Sequence, residues 1–91
     1  MTDRIERIRS TLAATLLPTE LVVRDDSHQH VGHAGARDGR GHFHVHIVSP
    51  AFDGLATLAR HRAVYAALGD MMTTDIHAIA IDARTLQETQ S

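Results

Sequence analysis

What the chain lacks limits the sites that it can build alone. It contains no cysteine, so it forms no disulfide and supplies no thiolate to a zinc or iron-sulfur centre. It has no tryptophan, one tyrosine and two phenylalanines, which is a small set of rings for stacking on nucleic-acid bases. A soft metal centre held by this chain must therefore take its sulfur from another molecule.

Long hydrophobic runs and a basic charge balance are absent as well. No apolar run approaches the ~20 residues that cross a bilayer, and no signal-peptide pattern opens the chain, so the sequence predicts a soluble, cytoplasmic protein with no membrane partner. The net charge is -2 with histidines neutral, far from the basic balance expected of a nucleic-acid-binding domain. No serine, cysteine or lysine stands beside a plausible base, which predicts that the protein is not an enzyme.

The length of 91 residues predicts a single domain, residues 1–91, with its core between about residues 3 and 88. A hydrophobic period near 3.6 residues predicts helices, and alternation with a period of two predicts strands. The predicted elements, in order, are helix Asp3–Leu16, strand Glu20–Asp26, strand His42–Ser49, helix Leu58–Met72, strand Ile76–Ile81 and a short C-terminal helix. This order, α-β-β-α-β-α, predicts an α/β domain whose three-stranded sheet is covered by helices on one face and wet on the other.

Local signals refine the helices. Thr57 is predicted as the N-cap of the main helix, and Thr85 with Glu88 forms a T-x-x-E capping box for the C-terminal helix. Gly69 lies inside the predicted main helix and should weaken it by up to about 1 kcal/mol relative to alanine. The residues predicted to form the buried stripe of this helix are Leu58, Val64, Leu68 and Met72.

Eight histidines are the unusual part of the composition. Three of them fall in a glycine-rich connection, residues 27–41, whose length is typical of a functional or disordered loop: His28, His30 and His33. They are either metal ligands or solvated polar residues. Three more alternate along the second strand, where an exposed sheet face is favoured over chelation of a divalent ion: His42, His44 and His46. His77, at the start of the last strand, suggests a structural or exposed role when considered alone.

Six short motifs follow one another from Asp26 to Ile79. They are Asp26-Ser27-His28 with Gly32-His33, His42-Phe43, Val48-Ser49, Phe52-x-Gly54, Arg60-His61-Arg62-x-Val64-Tyr65-x-x-Leu68, and Ile76-His77-Ala78-Ile79. In this order and at these spacings they resemble the BolA-like protein family, over about residues 3–88. The resemblance implies a class II KH-like α/β fold and an intracellular protein.

The same resemblance implies a partner and a cofactor. BolA-like proteins pair with monothiol glutaredoxins and share a [2Fe-2S] cluster, in which the glutaredoxin cysteine and a glutathione thiol hold one side. Nitrogen ligands from the BolA-like protein hold the other side. The family's C-terminal ligand falls on His77, and its loop ligand falls on His33, with His30 as the second choice. The implied role is iron-sulfur cluster assembly, trafficking or iron sensing.

The family also permits an alternative, a DNA-binding transcriptional regulator of stress response and cell morphology. Its phosphate contacts would be Arg60, Arg62 and Arg84. Salt separates the two hypotheses, because DNA binding falls steeply as salt is added, whereas cluster ligation should change little. A homodimer of the free chain is possible, but no long exposed apolar stripe demands one.

Overall fold

The described part of the chain, residues 4–26 and 41–90 of a computed structural model, follows the predicted order of elements. The elements are α1 (Arg4–Leu16), β1 (Glu20–Asp25), β2 (Gly41–Val48), a 3-10 helix (Pro50–Phe52), α2 (Thr57–Leu68), α3 (Met71–Thr74), β3 (Ile76–Arg84) and α4 (Leu86–Gln90). Most boundaries agree with the prediction within one residue, but α2 ends at Leu68 and not at the predicted Met72, and β3 runs three residues beyond the predicted end at Ile81. Within the described ranges no helix is both long enough and apolar enough to span a membrane.

The three strands form one mixed sheet in the order β1-β2-β3. β1 is antiparallel to β2, with Val23 opposite Val45, and β2 is parallel to β3, with Val45 opposite Ile81. A parallel pair needs a crossover connection, and here the 3-10 helix, α2 and α3 supply it. The predicted α/β domain with a three-stranded sheet is confirmed.

Helices cover one face of the sheet and build the core there. The buried cluster joins β2, α1, α2, the 3-10 helix and the start of β3, and its members are Ile8, Leu12, Phe43, Val45, Ile47, Phe52, Val64, Leu68 and Ile76. On the opposite face the histidines of β2 are only partly buried, alternating with the core residues. Val22 on that face is 54% exposed, so the predicted position of the histidine stripe on the uncovered side is confirmed.

The start of the main helix differs from the prediction. Thr57 is the first residue of α2, and the N-cap is Ala56, whose side chain makes no capping hydrogen bond. The helix therefore begins one residue earlier than a threonine cap requires. The C-terminal capping box is confirmed, because the Thr85 amide donates to Glu88 Oε1 at 2.8 Å and the Glu88 amide donates to Thr85 Oγ1 at 3.3 Å.

Gly69 ends the main helix instead of weakening its interior. The residue has φ 55° and ψ -126°, and its amide donates to Tyr65 O, after which the chain restarts as α3. Side chains disfavour a positive φ, whereas glycine adopts it without a steric penalty. The predicted continuous helix Leu58–Met72 is therefore wrong, since α2 stops at Leu68.

One member of the predicted buried stripe lies outside the core. Val64 is fully buried and Leu68 nearly so, but Leu58 is 61% exposed. At 3.6 residues per turn, a residue six positions before Val64 faces well away from it, whereas one four positions after it does not. Met72 packs against the core from α3 and is partly buried.

Candidate functional site

The start of β3 contains an irregularity in the strand register. Gly41 lies opposite Ile76, but the next residue of β2, His42, lies opposite Ala78, which makes His77 an extra residue on β3. This is the arrangement of a β-bulge, in which one strand carries an extra residue that has no partner on the neighbouring strand. Bulges change the direction of a side chain, and they are common beside functional sites.

The bulge turns His77 out of the core. Ile79 packs against the core from β3, so strict alternation would direct His77 to the core face as well. In the structure His77 is exposed, and Ile76 before it is buried with 1% exposure. The extra residue thus exchanges the two faces at the strand start, burying the isoleucine and exposing the imidazole.

His77 is brought against a second histidine by the same arrangement. The ring centres of His42 and His77 lie 4.9 Å apart, with the ring planes at 50°. The two residues come from neighbouring parallel strands and are distant in sequence. Alternation along β2 predicts that His42 lies on the open face, but it does not predict the contact with His77, because their proximity depends on the pairing of β2 with β3 and on the bulge.

A network of hydrogen bonds and ion pairs fixes the chain just before His77. The Asp75 backbone carbonyl accepts from the Gly41 amide at 3.0 Å. The Asp75 carboxylate accepts from both terminal nitrogens of Arg7, at 3.2 and 2.9 Å, and its Oδ1 lies 3.5 Å from Arg4 Nε. α1 therefore holds the start of β3 through a charged side chain that is itself 11% exposed.

The electrostatic balance at Asp75 favours the charged form. Burial raises the pKa of this carboxyl, but hydrogen bonds from Thr74 and Arg7, with the charges of Arg7 and Arg4, outweigh it and hold the pKa below its usual value of 3.8. Its side chain is nearly covered, whereas the two arginines are 39% and 46% exposed. The network is therefore a partly solvated ion cluster.

The connection that carries the loop histidines starts and ends at the same end of the sheet. The Asp26 amide donates to the His42 carbonyl at 2.8 Å, and Gly41 opens β2. The two described residues that flank the connection, Asp26 and Gly41, therefore lie next to His42. The predicted ligands His33 and His30 lie outside the described residues, so their roles stay predictions.

His46, at the other end of the histidine stripe from His42, contacts two acidic side chains. His46 Nδ1 lies 2.9 Å from Asp82 Oδ2, and His46 Nε2 lies 3.7 Å from Glu20 Oε1. The hydrogen bond with His46, followed by that from Arg84, lowers the pKa of Asp82. Across residues 4–26 and 41–90, no group of three or more histidine or acidic side chains is arranged to hold a metal ion.

Arg60, a predicted phosphate contact, is committed to the fold. Its Nε donates to Leu55 O at 2.7 Å, and its Nη1 donates to Ala83 O at 3.1 Å. Both terminal nitrogens also donate to the Glu88 carboxylate, at 2.6 and 3.0 Å. The side chain is 14% exposed, so Arg60 joins α2, β3 and α4. The T-x-x-E motif predicts the local role of Glu88 in the capping box, but no signal in the sequence indicates its long-range contact with Arg60.

The other two arginines of the DNA-binding alternative are more accessible. Arg84 Nε donates to Asp82 Oδ1 at 2.9 Å, and its side chain is 49% exposed. Arg62 is exposed on α2. Of the three candidate phosphate contacts, Arg62 and Arg84 present their charges to solvent, and Arg60 does not.

A family model described as BolA-like protein matches residues 12–88. Protein BOLA1, chloroplastic, of Arabidopsis thaliana is 42% identical over 92 residues, which cover 98% of this chain and 58% of that protein. BolA-like protein 1 of Homo sapiens is 44% identical over 78 residues, covering 86% of this chain and 55% of that protein. The chain thus spans just over half the length of these two relatives.

A bacterial relative is covered more fully. The DNA-binding transcriptional regulator BolA of Escherichia coli (strain K12) is 39% identical over 83 residues, which cover 91% of this chain and 76% of that protein. Among solved structures, BolA1 from Arabidopsis thaliana superposes with a TM-score of 0.83 at 41% identity, covering 97% of each chain. The BolA domain of SufE1 from the same plant gives a TM-score of 0.85 at 42% identity, covering 97% of this chain and 98% of that one.

Proposed function

The chain belongs to the BolA-like protein family, and from this premise we propose that it is an accessory protein that pairs with a monothiol glutaredoxin to hold a shared [2Fe-2S] cluster. The glutaredoxin cysteine and glutathione supply the sulfur ligands. His77 supplies a nitrogen ligand, and His33 supplies a second, with His30 as its substitute. The pairing serves iron-sulfur cluster assembly, trafficking or iron sensing.

The exposure of His77 by the β-bulge is the observation that carries this proposal. A histidine placed on an isoleucine-rich strand is directed outward at the cost of regular pairing, which is the use that bulges have beside functional sites. The chain has no cysteine, and its described residues offer no group of three or more metal-binding side chains. Such a donor set fits a cluster that is completed by a partner's thiolates. Histidine in place of thiolate on one iron raises the reduction potential of a [2Fe-2S] cluster.

Anaerobic reconstitution tests the proposal directly. The chain is mixed with a monothiol glutaredoxin, glutathione, iron and sulfide, and visible absorption and circular dichroism are recorded. We expect the wild-type spectrum to differ from that of the glutaredoxin alone, and His77→Ala to abolish the difference. His33→Ala and His30→Ala identify the loop ligand.

His44→Ala is the matched control, because His44 is a partly buried histidine on the same open face that the proposal does not use. It should leave the spectrum unchanged. A mixture that shows only the glutaredoxin's own spectrum would contradict the proposal, as would a His77→Ala chain that behaves like the wild type.

DNA binding is the second candidate function, and the bacterial relative named as a DNA-binding transcriptional regulator supports it. Arg62 and Arg84 are its phosphate contacts on this chain. Binding to duplex DNA should weaken as salt increases. When the logarithm of the binding constant is plotted against the logarithm of the salt concentration, the slope should become shallower by about 0.9 for each phosphate contact removed. Arg62→Gln should therefore reduce both the affinity and the slope. An affinity that Arg62→Gln and Arg84→Gln leave unchanged would remove this candidate.

A further inference from the structure

The contact between His42 and His77 has the dimensions of a metal-binding pair. Zinc-nitrogen bonds are about 2.0–2.1 Å long, so the ring centres of two imidazoles on one ion lie about 4.5–5.2 Å apart for bond angles between a right angle and the tetrahedral value. The observed separation of the two ring centres is 4.9 Å. Ordinary packing of two rings also gives separations of about 4.5–7 Å, so only a binding experiment distinguishes the two.

We propose that His42 and His77 form a two-imidazole site that binds a divalent transition-metal ion such as Zn²⁺ in the free chain. Imidazole nitrogen suits zinc, copper and nickel ions. Water fills the remaining coordination positions, because within residues 4–26 and 41–90 no third side chain converges there. The site uses neither a thiolate nor a residue of the 27–40 connection.

The two rings differ in exposure, because His77 is exposed and the Nε2 atom of His42 is buried. Ala78 lies opposite His42 on β3, and it is exposed and carries only a methyl group. The carboxylate of Asp75, just before β3, is held by Arg7 and Arg4 of α1. The imidazole of His46 contacts Asp82, and four residues of strand separate it from His42 by about 13 Å. The pair is therefore distinct from the acidic end of the stripe.

The two-imidazole site is independent of the glutaredoxin partnership. It holds a single ion on the chain alone, whereas the proposed function concerns a cluster completed by a partner. Because His77 belongs to both, an ion bound at the pair must leave before His77 can bind a cluster. Zinc is therefore expected to compete with cluster binding.

Zinc titration of the isotope-labelled chain, followed by nuclear magnetic resonance of the histidine side-chain nitrogens, tests the site. At about pH 7.5 most unperturbed imidazoles are neutral and can bind metal. The signals of His42 and His77 should move together and stop changing at one equivalent of Zn²⁺. Either substitution, His42→Ala or His77→Ala, should raise the dissociation constant at least about tenfold, since even losing a partner of a ligand costs that much.

The controls separate this site from the loop and from the rest of the stripe. His44→Ala removes a neighbouring histidine of β2 and should leave the dissociation constant unchanged, and His33→Ala should do the same. The backbone amide spectrum establishes that each variant folds, and His42→Gln replaces His42→Ala if it does not. Zinc binding that is unchanged by loss of the His42 ring would overturn the proposal. So would His77 signals that move together with the loop histidines while those of His42 stay in place.

Discussion

Replacing Asp75 by asparagine should destabilise the protein by about 2 kcal/mol. The asparagine keeps the shape of the side chain but loses the ion pairs with Arg7 and Arg4. Breaking a buried ion pair costs about 3–5 kcal/mol, and an exposed one contributes about 0.2–1 kcal/mol. The carboxylate is 11% exposed, and its partners are 39% and 46% exposed, so the cost lies between these limits. In a domain of this size it lowers the melting temperature by about 8–16 °C.

The effect of Asp75 should depend on pH in a defined direction. The pKa of its carboxyl is lower in the folded protein than the usual 3.8, because the hydrogen bonds and arginine charges outweigh the opposing effect of burial. A carboxyl with a lowered folded-state pKa stabilises the fold fully above its unfolded value and loses this effect as pH falls through the folded value. The difference between wild type and Asp75→Asn should therefore be full at neutral pH and shrink below pH 3.8.

Urea unfolding followed by circular dichroism measures the free energy of unfolding at each pH. The control is Glu6→Gln, which removes a carboxylate from the pair of Glu6 with Arg9, whose side chains are 45% and 50% exposed. This control should cost less than about 1 kcal/mol. An Asp75→Asn chain that is no less stable than Glu6→Gln would refute the reasoning, as would a difference from wild type that persists unchanged at acid pH.

Three further changes test other parts of the fold. Gly69→Ala should lower the free energy of unfolding, measured in urea, by about 1–3 kcal/mol, because an alanine is strained at this positive φ. A gain in stability would mean that the main helix continues through residue 69. Phe52→Ala should cost about 3–5 kcal/mol in thermal unfolding, whereas Leu58→Ala, at an exposed site, should cost less than about 0.5 kcal/mol. The bonds from Arg60 and then Thr85 lower the pKa of Glu88 to about 2, so amide protection in α4 should persist as pH falls below 4.5 and be lost only near pH 2; in Glu88→Gln, whose side chain can still accept from the Thr85 amide, the protection should not change between pH 4.5 and pH 2.

The faces of the elements could be predicted because periodicity along the chain encodes them locally. The alternation of β2 placed its histidines and its core residues correctly without any knowledge of the neighbouring strands. The prediction that Gly69 lies inside a continuous helix was wrong because it used only this local information. Helix propensity scores a glycine for its entropy inside a helix, but the φ that the residue adopts depends on how the chain continues into α3, which a propensity does not contain.

The site required information that is not local. His77 was identified from a motif, and alternation alone would have directed it into the core. The bulge that exposes it exists only in the pairing of β3 with β2. For the same reason, the sequence does not predict the contact of His42 with His77. Nor does it predict the bond between Arg60 and Glu88, which are 28 positions apart. Each depends on which distant segments meet, and neither composition nor spacing specifies that.

The closeness of Asp26 and Gly41 at one end of the sheet makes the connection between them exchangeable. The entropic cost of closing a loop grows only with the logarithm of its length, so doubling the connection costs about 0.6 kcal/mol, against a total stability of roughly 5–15 kcal/mol for a domain. Insertions, deletions or a different set of side chains between residues 27 and 40 should therefore leave the sheet, the bulge and His77 in place. The sequence of this one segment can therefore change, by evolution or by design, while the remaining architecture is inherited intact.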